Sequence, residues 1–485
     1  MNEIFPASRN LSRSSQDQSL VLRSTYKTSP AITICASFFR SFMPVSIYNK
    51  SPLDEPIPLI VVEGFLGGAG ALVWGNFQDY MNISCEQPRR VIFANVGPVS
   101  SLHDRACELY YAMKGGTVDY GADHCKQHHH LQYGRTIDEG MYPQWSRDRP
   151  LHFLGHSLGA PTITKLQWLL STGFFGNREH PDMILSVTSI SAPFRGTQLV
   201  YALGEREDAA PAVRPISIGS AIAKVVHLVS FLSPYMPKLL DLHAESRSLS
   251  CREVSFSSLL EQLRKSEWTE SRDAANFDVT FLAMDEREAY SEGLVNPRTF
   301  YRSHVACMTH KIGLDTNTHA PSLGFLLTLP LYLTSRIMGS FNFCLLRPIP
   351  SFLANIPYSP ATTITPEKGP HTPADAHQRG LNEEYWANDG IVPVFSQWHP
   401  LDCSSTICRH YIPSGAANGS MDESLAKLKP EPGIWHVHQI EDAHHCSLAP
   451  RWSGTTRQKH FWEAMGRWLG NIDDDVGLIR VGFYF

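Results

Sequence analysis

The chain has no Cys-x-x-Cys pair, no His-Glu-x-x-His motif, no internal repeat and no apolar run approaching the roughly 20 residues of a membrane span. Each absence closes off a class. The cysteines show neither a Cys-x-x-Cys pair nor regular spacing, and the lack of His-Glu-x-x-His counts against a metal-dependent hydrolase with the His cluster as its active site. The longest apolar segment, Leu323–Leu333, is short and broken by Pro330, so it reads as a buried or interfacial piece. A formal net charge of −5 over 485 residues points to neither nucleic acid nor a polyanionic partner. The ten cysteines are scattered. The nearest pair, Cys403 and Cys408, lies in a Ser-rich loop where a disulfide is one possibility. Residues 1–55 read as a tail, and positions 1–30 are polar and Ser/Arg-rich in the manner of disordered chain. Ala31–Phe39 is short and ends at Arg40, a poor signal-peptide core, which leaves a soluble protein of unknown compartment.

What is present is a rhythm. Leu59–Val62, Val91–Ala94, Leu151–Leu154 and Ile184–Ile190 are short apolar runs, each followed by Gly, Pro or Ser. Helix-like stretches at 103–113 and 161–171 lie between them. Apolar strands alternating with helices predict an α/β fold with a mostly parallel sheet covered on both faces. Residues 217–232 place Ile218, Ile222, Val225, Val226, Val229 and Leu232 at helical spacing, either as a core-facing helix or as a lid over an apolar site. Residues 312–383 are rich in Pro, Gly, Thr and Asn and read as a loop-rich insertion.

Gly155-His156-Ser157-Leu158-Gly159 matches G-x-S-x-G between an apolar strand and a helix that begins near Thr162. That setting matters more than the five letters. A sharp strand-to-helix turn exposes the serine, and flanking glycines avoid clashes inside it. Ser157 is therefore the candidate nucleophile. Its oxyanion hole would use the backbone N–H of Leu158 and one from the loop after Leu59–Val62, for which Phe65 is the choice. The order in such folds is Ser, acid, His. Asp389, in Asn388-Asp389-Gly390, fits the acid, although Asn-Asp-Gly is also ordinary turn chemistry. His444 and His445 both offer a base near the end of the chain, and the residues alone do not choose between them.

Several blocks are more particular: Gly97-Pro98-Val99-Ser100-Ser101, Asp104-Arg105-Ala106-Cys107-Glu108, Gly115–Ala122, and Gly134-Arg135-Thr136. With them the chain, from about residue 57 to 450, resembles the large zinc-containing bacterial lipases, the thermostable and staphylococcal group of the α/β-hydrolase superfamily. The resemblance implies an α/β-hydrolase domain over 56–485, with a zinc-region insertion near 98–145, a lid region near 197–295 and the insertion at 312–383. It places the triad acid on Asp389 and, counting from Gly433-Ile434-Trp435, the base on His445. It implies one structural zinc ion held by Asp104, His124, His130 and Asp241, of which Asp241 is the loosest match. Two carboxylates and two imidazoles are a reasonable tetrahedral zinc shell. The sequence also departs from that group. Glu63-Gly64 stands where it has His-Gly, Leu158 replaces a polar residue, and Cys446 and Ser447 stand where its calcium site begins, so calcium is not carried over.

The function so implied is carboxylic-ester hydrolysis, with acylglycerols as substrate and transient contact with a lipid surface. Two rivals stay open: a soluble carboxylesterase or thioesterase with the same triad, and a catalytically silent lipid-binding relative.

Overall fold

The computed structural model describes residues 55–482 apart from 69, 84, 86, 238–239, 314–317, 355–379, 412–428 and 450. The tail expected over 1–55 falls almost wholly outside the described residues. Strands β1 (Leu59–Val62), β2 (Val91–Ala94), β5 (Leu151–His156), β6 (Ile184–Ile190), β7 (Phe300–Cys307), β10 (Cys408–Tyr411) and β11 (Trp435–Glu441) form one sheet, ordered β10-β11-β7-β6-β5-β1-β2. Every pairing in it is parallel. Two antiparallel pairs stand apart: β3 (Gly116–Asp119) with β4 (Tyr133–Ile137), and β8 (Thr309–Lys311) with β9 (His319–Pro321). The helices used below are α1 (Leu102–Lys114), α2 (Ala122–His128), α3 (Gly159–Ser171), α4 (Ile218–Phe231), α5 (Leu329–Met338) and α6 (Thr456–Gly482).

The pleat of β1 shows why its four residues are all apolar. Ile60 and Val62 pack with Ala106 and Leu109 of α1 and Ile163 and Leu166 of α3. Leu59 and Val61, on the opposite face, pack with Phe77 and with Trp462, Met465 and Leu469 of α6. A strand buried on both faces has no polar positions to alternate with, so it reads as a continuous hydrophobic run. The chain visits β1 and β2 first and then crosses to β5 on the other side of β1. The strand order therefore reverses between β1 and β5. In open parallel sheets, ligand sites form outside the carboxyl ends of strands at such a reversal. Ser157 follows β5 and Phe65 follows β1, which brings both to this crevice.

One expectation needs correction. The part of 312–383 that is described is not loop: it holds β9, a 3₁₀ segment at Leu323–Thr328 and α5. Tyr332, Ser335 and Met338 are buried at three-residue spacing along α5, and Pro330 sits in its first turn, where proline's missing N–H costs little. Pro and Gly density disguised that period. Helix α4 forms where expected, capped by Ser217 accepting from the Ser220 N–H. It is only half core-facing: Val226, His227 and Ser230 are buried, whereas Ile218 (61%) and Val225 (59%) are exposed. No described helix is long and apolar enough to cross a membrane.

Candidate active site and metal cluster

Ser157 adopts φ +53°, a left-handed conformation that a non-glycine residue adopts only under tight constraint. The constraint is visible on both sides. A Cβ on Gly155 would stand 2.3 Å from the Ala160 backbone, and one on Gly159 would stand 2.0 Å from the Val62 carbonyl oxygen. Glycine at both positions lets β5 turn into α3 hard against β1. The Ser157 N–H donates to the Ile190 carbonyl (2.9 Å), tying the turn to the end of β6.

The acid and base meet at the same end of the sheet. Asp389 is fully buried; its Oδ1 accepts from the N–H groups of Ile391 (2.9 Å) and Val392 (2.8 Å). Its Oδ2 lies 2.9 Å from His445 Nδ1. With Oδ2 as acceptor, Nδ1 carries the proton and Nε2 keeps its lone pair. The His445 N–H also donates to the Asp389 carbonyl (2.9 Å), so the two loops are joined twice. His444, the other possible base, does not join this pair: its Nδ1 accepts from the Cys446 N–H (3.2 Å). His156, beside the serine, donates from Nε2 to the His445 carbonyl (3.0 Å), with ring centroids 4.9 Å apart. Burial, helped by the His445 ring, pushes His156 down to about 3, so it stays neutral and holds the base loop by hydrogen bonding alone.

Glu63, the residue that departs from the family pattern, shapes the loop after β1. Its carboxylate accepts from the N–H groups of Gly68 (2.8 Å) and Gly70 (3.1 Å) and from Trp74 Nε1 (3.1 Å). Buried Arg105 fixes the loop from the other side, donating to the carbonyls of Glu63 (2.5 Å) and Gly97 (2.6 Å) and to Thr162 Oγ1 (2.9 Å). Phe65 is thereby presented on the rim. Among the described residues, neither its N–H nor that of Leu158 has an intramolecular acceptor. Ser157, Phe65 and Leu158 all line one cavity, whose walls are otherwise mostly apolar, with Val200 and Leu203 on one side and Ile222 and Val226 of α4 on another. Its charged exception is buried Glu205, whose carboxyl burial pushes up to about 7.

Among the described residues, two groups of side chains are arranged so that they could hold a metal ion. The first joins Asp104 of α1, His124 of α2, His130 and Asp273. His124 Nε2 is 3.3 Å from both Asp104 Oδ1 and Asp273 Oδ1, and His130 Nε2 is 3.3 Å from Asp273 Oδ2. Asp104 Oδ1, His124 Nε2 and His130 Nε2 are buried yet none has a hydrogen-bond partner. Orphaned buried polar atoms are costly, and three converging on one spot fit a shared cation. The His130 Nδ1–H donates to the Leu131 carbonyl (2.9 Å), so its Nε2 faces the cluster with a lone pair. Arg247 bridges the two carboxylates, 2.6 Å from Asp104 Oδ2 and also paired with Asp273 Oδ2.

Asp241 is not in this group, which corrects the expected fourth ligand. Arg135 of β4 holds its carboxylate in a fork at 3.0 and 3.1 Å, and the His243 N–H adds a third bond at 3.0 Å. Asp273 takes the fourth position. Nothing local in Arg272-Asp273-Ala274 marks it, and only folding brings it to a histidine pair more than 140 positions earlier.

A family model described as "Lipase-like, C-terminal domain" matches residues 55–343, more than half of the chain. The chain belongs to this family. The lipase of Staphylococcus hyicus is 26% identical over 339 residues, covering 64% of this chain and 49% of that protein. Lipase 2 of Staphylococcus aureus (strain MRSA252) is 26% identical over 436 residues, covering 84% of this chain and 52% of that protein. The chain thus spans about half the length of these relatives. Among solved structures, Staphylococcus hyicus lipase superposes with a TM-score of 0.62 at 21% identity, covering 89% of this chain and 97% of the other. EstA from Clostridium botulinum gives 0.57 at 24%, covering 86% and 88%. These likenesses place the chain in the α/β-hydrolase fold of the staphylococcal-type lipases.

Proposed function

We propose that this protein is a serine ester hydrolase acting on acylglycerols, with Ser157, His445 and Asp389 as its triad. The observation that carries the reading is the placement of Ser157. It sits at a strained strand-to-helix turn at the reversal of the sheet, on the wall of an apolar cavity that Phe65 and Leu158 also line. In the proposed reaction Ser157 Oγ attacks the ester carbonyl carbon while His445 Nε2 takes the hydroxyl proton. The carbonyl oxygen becomes an oxyanion and accepts from the Phe65 and Leu158 N–H groups. The tetrahedral intermediate then expels the alcohol, which leaves with the proton from His445. Water, deprotonated by the same nitrogen, attacks the acyl-enzyme, and His445 returns that proton to Ser157 Oγ as the fatty acid leaves. Asp389 keeps Nδ1 protonated and stabilises the imidazolium formed at each step.

The acyl chain would lie in the cavity between Val200 and α4. Substrate presented at a lipid surface is supported by the outer face of α4, with Ile218, Val225 and Leu228 exposed, and by Leu323, Leu327 (98% exposed) and Leu333 on the neighbouring insertion. In this reading α4 is the lid. Asp104, His124, His130 and Asp273 would hold one zinc ion; when bound it supplies a cross-link between α1, α2 and the segment before residue 274, and it takes no part in the ester chemistry. The relatives named as lipases support the same activity.

An active-site-directed phosphonate ester tests the reading. The expected result is one equivalent of adduct on the Ser157 peptide with complete loss of ester hydrolysis. Hydrolysis by Ser157→Ala at the wild-type rate would overturn it.

A further inference from the structure

The second group of potential ligands lies in the segment that runs from the Asp389 loop to the edge of the sheet. His399, Cys403, Cys408 and His410 offer Nε2, Sγ, Sγ and a ring nitrogen, all within 4.8 Å of one another. We propose that these four residues form a second, structural zinc site of the Cys₂His₂ type.

The distances agree with a tetrahedron. With Zn–S of about 2.3 Å and Zn–N of about 2.05 Å, adjacent sulfur and nitrogen ligands stand about 3.6 Å apart. Cys403 Sγ lies 3.4 Å from His399 Nε2 and 3.5 Å from His410 Nε2. His399 is prepared for the role. It is buried, and its Nδ1–H donates to the Leu401 carbonyl (2.7 Å), which leaves the Nε2 lone pair directed at the cluster. Such an outer hydrogen bond fixes the tautomer that a metal-binding imidazole needs. Cys408 and His410 are two residues apart on β10, so their side chains leave the same face of the strand. The intervening Arg409 leaves the other face and pairs with Glu431 (2.5 Å). The His410 ring meets the Trp398 ring edge-on at a centroid distance of 4.8 Å, which holds it over the loop.

The donor set selects the ion. Two thiolates and two imidazoles form a closed, borderline-soft shell that suits zinc and leaves no position for a substrate. Two thiolate charges cancel that of Zn²⁺, so a neutral site results, with the proton of each thiol released to solvent on binding. Cys403 and Cys408, the pair considered for a disulfide, are both free thiols in this fold. The consequence is mechanical. Among the described residues β10 is the edge strand, paired with β11. The site would pin the His399–Cys403 loop to that edge. Asp389 lies shortly before the loop in the chain, and β11 leads to His445.

The test uses the full chain, purified without chelator and exchanged with Co²⁺. The expected result is a thiolate-to-cobalt charge-transfer band in the near ultraviolet, which the Asp104 cluster cannot produce because it has no sulfur. Cys403→Ser/Cys408→Ser should remove the band and one equivalent of zinc while leaving the metal of the Asp104 cluster in place. Should that variant fail to fold, wild-type alkylation decides: Cys403 and Cys408 should react with iodoacetamide slowly until a chelator is added. An absent band, equal alkylation with and without chelator, zinc content unchanged in the double variant, or a Cys403–Cys408 disulfide peptide from freshly purified protein would each overturn the proposal. None of these readouts depends on ester hydrolysis.

Discussion

The floor and the cover of the crevice are built on opposite principles. On the floor, Ser157, Asp389, His445 and His156 are buried and held by hydrogen bonds at 2.8–3.0 Å, to backbone groups and, for the His445 ring, to the Asp389 carboxylate. On the proposed cover, α4 and the 323–338 segment expose leucine, valine and isoleucine. Buried polar groups with their partners in place define one geometry and resist change. Exposed apolar area stays in water only until a better surface is offered. The difference teaches that rate should be lost through the floor on every ester, and through the cover only where substrate forms an interface.

The largest effect belongs to the floor. Ser157→Ala should lower kcat about 10⁴–10⁶-fold on soluble and emulsified esters alike, and Asp389→Asn about 10⁴-fold by leaving His445 in the wrong tautomer. A defect confined to emulsions would erase the distinction between floor and cover. Next come the two aspartates read for one role. Asp273→Asn should weaken zinc retention at the Asp104 cluster by tenfold or more, since it removes a ligand. Asp241→Asn should leave that metal in place and cost at most about 1 kcal/mol, because the pair with Arg135 is part-exposed. Metal analysis and thermal melting of both variants separate them.

Acid should act on the floor through His156. Its pKa lies near 3 in the fold against 6.5 for the free side chain. Above pH 6.5 both states are neutral there and this histidine adds no pH dependence. Below 6.5 the unfolded chain binds a proton that the native chain refuses, so stability falls as pH drops, by about 1.4 kcal/mol per unit for this group, until about pH 3. Urea midpoints between pH 8 and 5 should show this limb, and His156→Gln should make it shallower. An unchanged slope in that variant would contradict the account. The smallest effect is on the cover. Val225→Ser/Leu228→Ser should reduce rates on emulsions a few-fold, leave short soluble esters unaffected, and shift the melting temperature little, since both side chains are exposed.

The same division governs what could be read from residues alone. β1 is a contiguous apolar run because both its faces are covered, and β5 and β6, buried throughout, carry only small or isolated polar residues among their apolar ones. β7 and β11 escaped notice because Arg302, Ser303 and His304, and His436, His438 and Gln439, interrupt their hydrophobicity. Those polar side chains are nonetheless mostly buried, with Arg302 laid over Trp468 at 4.7 Å and the His304 and His438 rings stacked at 5.8 Å. Ser157 was legible because its motif is local, a glycine-flanked turn between strand and helix. The choice between His444 and His445 was not legible from the residues themselves, because pairing with Asp389 is settled by loop geometry across 56 positions. Asp273 was missed for the same reason. At Cys403 and Cys408, spacing drew attention to a sulfur pair, while the two histidines that join it sit outside any motif window.

The most direct test of the central claim is the rate of ester hydrolysis by wild type and Ser157→Ala as substrate concentration is carried through its solubility limit, across short and long acyl chains. The account predicts a rise in the wild-type rate where long-chain substrate forms an interface, and no comparable activity in Ser157→Ala. A wild-type preference for short soluble esters with no gain above the limit, or persistence of the rise in Ser157→Ala, would contradict it.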